Sequence, residues 1–410
     1  MPTTIITKVA TRDARFKLKS GEGVDATHTD PYYSYPVTLL QTDVGLTGVG
    51  IALTEGDGND LVCRAIEALA ERLVGQEIEA LMADFGQVFR QIADHPRLRW
   101  LGPHKGIVHL ALASITNACF DLWAKSRGVP LWQLLLDLTP EQIVNTLDLS
   151  YLENVLTADD ALALLREQQT TRREREWVIA KGYPGYDTSV GWFTYSDDQV
   201  ADKVKASLGG GFKALKLKVG SNDWERDLRR AFLVREIAGD EARVMLDCNQ
   251  RWSLKHALFM SHLLAPISPF WIEEPTHPDD VIAHQTLVRS IAPIKVALGE
   301  HVPNRVVFKN YFQANAIGFC QVDCNRVGGV SEFLTVSLMA KKFGIPVIPH
   351  VGDMGQIHQH LVLVNHIAIG HPVIFLEYIP HLRDYFVHPA QVEAGVYKTP
   401  QEPGSSSDLK

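Results

Sequence analysis

The rhythm of apolar and polar positions changes twice along the chain. Residues 37–42 and 44–53 are rich in β-branched side chains around a turn at Asp43 and Gly45, which predicts a hairpin or short meander. From residue 59, Leu61, Val62, Ala65, Ile66, Leu69, Ala70 and Leu73 fall on one helical face, with Asn59 as the expected cap. A longer helix is expected over 104–126, stopped by Gly128 with Pro130 just beyond. Together these elements read as an α+β unit over residues 1–140. Residues 141–185 read as a helical connecting insertion, with a helical run over 158–168. Within it, Arg172-Arg-Glu-Arg-Glu176 reads as a solvated face.

From Tyr186 the texture becomes short apolar strands alternating with amphipathic helices. Strands are expected over 212–218, 244–249, 270–274, 294–300, 317–324, 346–350 and 374–377. Helices are expected over 223–238, from Ser253, and over 279–290 and 331–343. Repeated strand–helix units imply parallel strands with right-handed crossovers. Seven or eight such units over 186–384 fit a closed barrel better than an open sheet. The expected fold is therefore α/β, a (β/α)7β TIM barrel carrying an N-terminal α+β capping domain. The tail, 385–410, is expected to return to that cap.

What stands at the strand ends carries the chemistry. In order these are Lys216 and Lys218, Asp247 with Asn249, Glu273 with Glu274, Glu300, Asp323, His350 and Glu377. The intervals from Asp247 to Glu273, Glu300, Asp323, His350 and Glu377 are 26, 27, 23, 27 and 27 residues. One ionisable residue per unit, in step with the repeat, places a ring of them at the barrel mouth, where active sites of this fold lie. Asp247, Glu273 and Glu300 end successive strands and repel one another unless a cation bridges them. An all-oxygen set favours a hard ion, Mg²⁺ before Mn²⁺ or Ca²⁺. On one flank, Lys216 and Lys218 share a face of their strand by period-two alternation. Their mutual repulsion is expected to lower the pKa of one of them towards that of a useful base. On the other flank, Asp323 orients His350, an acid–base pair. Glu377 adds a carboxyl group, either as an acid or hydrogen-bond partner or as a helix cap. A metal, a lysine base and an opposed histidine describe one reaction class: removal of the proton next to a metal-bound carboxylate.

Composition adds boundaries. At 410 residues, 46% hydrophobic and 21% charged, the chain is ordinary globular material. A net charge of −8 gives no general attraction to nucleic acid or anionic lipid, and no nucleic-acid-reading motif is present. Five scattered cysteines suggest neither a disulfide framework nor a thiolate metal site. No basic-then-apolar leader opens the chain, and no run approaches the ~20 apolar residues of a membrane span. A cytoplasmic protein is the expectation.

Lys216-Leu-Lys218, Asp247-Cys-Asn249, Trp271-Ile-Glu-Glu-Pro275, Gly299-Glu-His301, Gln321-Val-Asp323 and Pro349-His350 resemble the enolase superfamily, mandelate racemase subgroup. Arg97-Leu-Arg-Trp-Leu-Gly-Pro103, Tyr186-Asp-Thr-Ser-Val-Gly-Trp192, Asn249-Gln-Arg-Trp252, Asn304-Arg-Val-Val-Phe308 and Arg326-Val-Gly-Gly329 narrow it. They resemble L-fuconate dehydratase and its L-galactonate dehydratase relatives. The resemblance covers nearly the whole chain. It implies dehydration of a sugar acid to a 2-keto-3-deoxy acid, and a homo-oligomer. Carried onto these residues, Lys218 takes the C2 proton and Lys216 assists at the carboxylate. Asp247, Glu273 and Glu300 hold Mg²⁺. His350, oriented by Asp323, is the general acid for the 3-hydroxyl, and Glu377 is a further acidic residue. The cap loop near 21–35 closes over the substrate.

Asn249, His301 and Trp192 lie inside these motifs and are expected substrate contacts. The cap loop adds His28, Asp30 and Tyr32. Val351-Gly-Asp-Met-Gly355 departs from the small residues the family carries there, which brings Asp353 towards the pocket. Two other readings compete with dehydration: a racemase or epimerase using Lys218 and His350 on opposite faces, and a non-catalytic homologue. The second should have lost ligands or base, yet every expected position is filled.

Overall fold

In the structure, a computed structural model describing residues 3–410, the N-terminal region is a three-stranded antiparallel sheet backed by helices. Its strands are β1 (Ile6–Lys17), β2 (Tyr32–Thr42) and β3 (Thr47–Ile51). The expected hairpin is β2–β3. β1 escapes sequence reading because only its first residue is buried, so polar side chains occupy both of its faces. Helix Asn59–Ala70 begins one residue earlier than its expected cap implies. Gly58 occupies the cap position, and Asn59 instead bonds Asp13 and Thr54 with its side chain.

Helix Gly106–Arg127 packs on β3, on helix Asn59–Ala70 and on the barrel helix Gly329–Lys342. Its length and composition would suit a membrane span, but 89% of its apolar window is buried as core. The fit against β3 is close: a Cβ at Gly50 would lie 2.0 Å from the Ser114 carbonyl oxygen, so only glycine admits the helix here.

The barrel strands are β4 (Tyr183–Gly191), β5 (Ala214–Lys218), β6 (Arg243–Asp247), β7 (Trp271–Glu273), β8 (Lys295–Leu298), β9 (Phe319–Cys320) and β10 (Leu376–Tyr378). They pair in parallel from β4 to β9, and β10 pairs back onto β4. The strand expected over 346–350 is reduced to a single bridge, Cys320 to Val347, which fills the place between β9 and β10. Seven helices intervene, giving the (β/α)7β form. The last residues run back along the cap. Ser405 donates its backbone N–H to Asp121 at 2.7 Å, and Lys125 pairs with Asp408 at 2.8 Å.

Candidate active site

Strand register sets the site. Lys218 on β5 lies beside Asp247 on β6, which lies beside Glu273 on β7. Glu300 follows β8 at Gly299. A Cβ at Gly299 would come within 2.4 Å of the Gln321 carbonyl carbon, so glycine lets the Glu300 loop lie against the next strand. Asn249, Gln250 and Glu274 adopt the left-handed conformation at φ 42°, 66° and 42°, unusual for such side chains and concentrated at this mouth.

All the strand-end groups are buried, and each is paired. Lys216 Nζ lies 2.6 Å from Glu273, 2.7 Å from Glu377 and 3.5 Å from Asp247. Lys218 Nζ lies 2.6 Å from Asp247. The expected lowering of a lysine pKa is not what this arrangement produces. Burial does oppose both charges. Glu273 and Glu377, with Tyr186 and Asp247, outweigh it at Lys216, and Asp247, Asp25 and Glu300 together outweigh burial and the neighbouring lysine at Lys218, so both are held above the ordinary lysine value.

The carboxylates fit a hard cation. Burial, with Asp247, Glu377 and Glu300 nearby, pushes Glu273 up to about 8 despite Lys216, so these carboxylates crowd one another in a site that further positive charge would relieve. Asn249, whose backbone N–H is bound by Asp247, has a buried side-chain oxygen with no hydrogen-bond partner. A divalent ion among Asp247, Glu273 and Glu300 would answer that imbalance with oxygen donors alone.

Glu300 links the two flanks. It approaches His301 at 3.2 Å, Arg326 at 3.3 Å and His350 Nε2 at 3.3 Å. On the far flank His350 Nδ1 lies 2.8 Å from Asp323. Burial opposes the imidazolium, but Glu300 and Asp323 raise His350 above the usual histidine value. Glu377 accepts from Thr188 at 2.6 Å and from the Val351 backbone N–H at 3.0 Å, so it is tied into the barrel rather than capping a helix.

The pocket over this ring is lined by Lys218, Asn249, Glu300, His350 and Glu377 from the barrel, with Trp192 at one side. The opposite wall includes Asp25, His28, Tyr33 and Glu55 from the cap. His28 is held by Asp25 at 2.9 Å, which raises its pKa. The loop is closed: Phe193 N–H donates to Val24 O at 2.9 Å, and the Thr27 and Thr194 hydroxyls donate to Asn249 O and Gly21 O at 2.8 and 2.6 Å. The enclosed free volume is about 30 Å³.

Four expected contacts sit elsewhere. Tyr32 is the first residue of β2 and faces solvent at 37% exposure, and strand alternation turns Tyr33 to the pocket instead. Asp353 turns away from the pocket and is held by the Tyr35 hydroxyl and the Gly355 N–H, leaving Gly352 on the wall. His301 lies on the Glu274 side of Glu300, 2.9 Å from Glu274, behind the pocket wall. Asp30 lines a separate outer cleft with Lys17 and Thr194. Sequence reasoning missed Asp25, Tyr33, Glu55 and Arg326 as pocket residues. Asp25 and Tyr33 lie within the expected cap loop without standing out from it, Arg326 lies three positions after Asp323 in the Arg326–Gly329 motif, and Glu55 left no signal.

The sequence matches the family "Mandelate racemase / muconate lactonizing enzyme, N-terminal domain" over residues 9–135 and "Enolase C-terminal domain-like" over 199–410. It is 41% identical to human mitochondrial enolase superfamily member 1, over 99% of this chain and 94% of that protein. It is 39% identical to L-galactonate dehydratase of Hypocrea jecorina, over 100% and 93% respectively. The crystal structure of the human protein superposes with a TM-score of 0.97, covering 100% of this chain and 95% of that one. L-talarate/galactarate dehydratase from Salmonella typhimurium LT2, crystallised with Mg and L-lyxarohydroxamate, shares the fold at TM-score 0.79 and 24% identity, covering 100% and 91%.

Proposed function

This chain belongs to the enolase superfamily, and from that premise we propose that it is a Mg²⁺-dependent hydro-lyase acting on a sugar acid with one carboxylate. The observation that carries the reading is the opposition of Lys218 to the His350–Asp323 pair across a mouth holding Asp247, Glu273 and Glu300. The L-galactonate dehydratase likeness over the whole chain supports it.

Asp247, Glu273 and Glu300 would hold Mg²⁺, which supplies positive charge to the substrate carboxylate and to the charge developing beside it. With Asp247 engaged as a ligand its hold on Lys218 would weaken; Lys218 would release its extra proton to solvent and, as the neutral amine, take the proton from C2. Lys216, fixed by Glu273 and Glu377, presents a cation to the same carboxylate. His350 carries a proton on Nε2, with Nδ1 committed to Asp323, and passes it to the departing 3-hydroxyl as water leaves. Loss of water gives an enol that becomes the 2-keto-3-deoxy acid.

The cap wall supports one carboxylate rather than two. Asp25 and Glu55 would repel a second anionic end, His28 on the same wall is already paired with Asp25, and Arg326 nearby is already committed to Glu300. A cavity of about 30 Å³ holds roughly one water, so entry of a sugar acid requires the 18–31 loop to open.

The test is incubation of Mg²⁺-loaded protein with one-carboxylate and two-carboxylate sugar acids, reading 2-keto-3-deoxy product by semicarbazide absorbance. Product that vanishes with EDTA and in Lys218→Ala is expected. The opposed Lys218 and His350 also suit proton removal from one face and return to the other. A product epimeric at C2 with its 3-hydroxyl intact would replace dehydration with that reaction.

A further inference from the structure

The acid–base pair does not end at Asp323. Its Oδ2 faces His350 Nδ1 at 2.8 Å, while its Oδ1 faces a second imidazole, His358 Nε2, at 3.0 Å. Oδ1 also accepts the Asn325 backbone N–H at 2.7 Å. His358 stands on helix Ile357–Val364, is 2% exposed, and is absent from the pocket wall. One fully buried carboxylate is thus divided between two rings from two elements.

Three groups meet His358 Nε2: the Cys324 backbone N–H at 3.1 Å, which needs a lone pair there, the Cys324 thiol at 3.3 Å, which can serve either way, and Asp323, which needs a proton. Although burial opposes its charge, the two histidines hold Asp323 well below the ordinary aspartate range, so it is ionised. A nitrogen lone pair facing a buried carboxylate at 3.0 Å is repulsive, and a charge-assisted bond is about twice as strong as a neutral one. The carboxylate therefore wins, and Nε2 carries hydrogen.

We propose that His358 is a positioning residue for the acid step. By occupying Oδ1 it reserves Oδ2 for His350, which keeps Nδ1 of His350 protonated and Nε2 directed at the pocket. A carboxylate that loses His358 keeps only the Asn325 N–H on Oδ1 and divides its charge differently, so the tautomer of His350 is less firmly enforced. The kinetic part of this inference rests on the dehydratase reading; the hydrogen-bond part does not.

The experiment uses Mg²⁺-loaded, ¹⁵N-histidine-labelled protein. The low-field N–H resonance of His350 is assigned by its loss in His350→Asn. His358→Leu should shift or abolish that resonance and lower dehydration kcat by about 10- to 100-fold, the range for losing an outer partner of a functional imidazole. KM should hold, and C2-proton exchange in D₂O, which needs the metal site, Lys216 and Lys218 but not His350, should continue at or above the wild-type rate. His358→Gln places an amide donor near Oδ1 and should restore most of kcat. If His358→Leu does not fold by circular dichroism, His358→Asn, too short to reach Oδ1, takes its place. An unchanged His350 resonance, a parallel fall in exchange and dehydration, or a Gln variant no better than Leu would each overturn the proposal. If the wild type dehydrates no sugar acid, the functional reading fails, and the resonance alone decides the role of His358.

Discussion

The two walls of one pocket are built differently. The barrel wall is a ring of side chains on strand ends, with Lys216, Asp247, Glu273 and Asp323 almost wholly buried and each held by two or more partners. The cap wall is a loop and the strand starts beside it, held over the barrel by a few hydrogen bonds such as Thr27 to Asn249 O. Proton transfer requires geometry held to fractions of an ångström, which strand ends supply. Admission and discrimination of a substrate require a surface that opens, and a loop with few buried contacts opens cheaply. On the proposed function, chemistry therefore belongs to the barrel wall and selection to the cap wall.

That division breaks first at the lysine. Lys218→Ala should lower kcat/KM by about 10²–10⁴-fold while circular dichroism stays native, since only the base is lost. An equal loss from a cap substitution such as His28→Ala would erase the distinction between the walls.

Metal dependence comes next. Because Mg²⁺ would bind only the folded barrel mouth, adding it at 100 times its dissociation constant should stabilise the protein by about 2.7 kcal/mol, read as a rise in Tm. Glu273→Gln should lose most of that rise. EDTA should remove turnover together with the stabilisation, whereas cap substitutions should leave both the metal response and the base intact.

The cap predictions are smaller and concern selection. Glu55→Gln removes one of the two cap carboxylates that line the pocket. It should improve the rate with two-carboxylate acids relative to one-carboxylate acids by about tenfold, equivalent to ~1.4 kcal/mol of relieved repulsion. Competition assays on mixed substrates read this directly. The smallest effect is expected at Thr27→Val, which removes the loop's bond to Asn249 O, a contact of about 1 kcal/mol. KM should rise about fivefold with kcat unchanged, in keeping with a loop that closes less often.

The barrel wall was legible in the sequence for a simple reason. Each strand–helix unit ends its strand with one ionisable residue, and a regular repeat converts sequence interval into position around the mouth. Even the weak strand near His350, which survives only as the Cys320–Val347 bridge, kept its place in that count. The cap wall has no repeat. β1 was invisible because both of its faces are largely polar, and Asp25 and Glu55 sit in short segments indistinguishable from surface loop. The sequence points to Tyr32 as readily as to Tyr33 because, without the start of β2, nothing indicates which neighbour faces inward, and a one-residue change reverses the answer.

By itself the sequence determined the fold class, the order of elements, and the set Lys216, Lys218, Asp247, Glu273, Glu300, Asp323, His350 and Glu377 at one end of the barrel, because local periodicity and hydrophobic pattern carry that information. Only the tertiary structure decided which charges pair, that the carboxylates hold both lysines protonated, that Asp353 turns to Tyr35, and that His358 shares Asp323 with His350. Those outcomes depend on distances between residues remote in sequence and on the dielectric they share, quantities set by packing rather than by any local pattern.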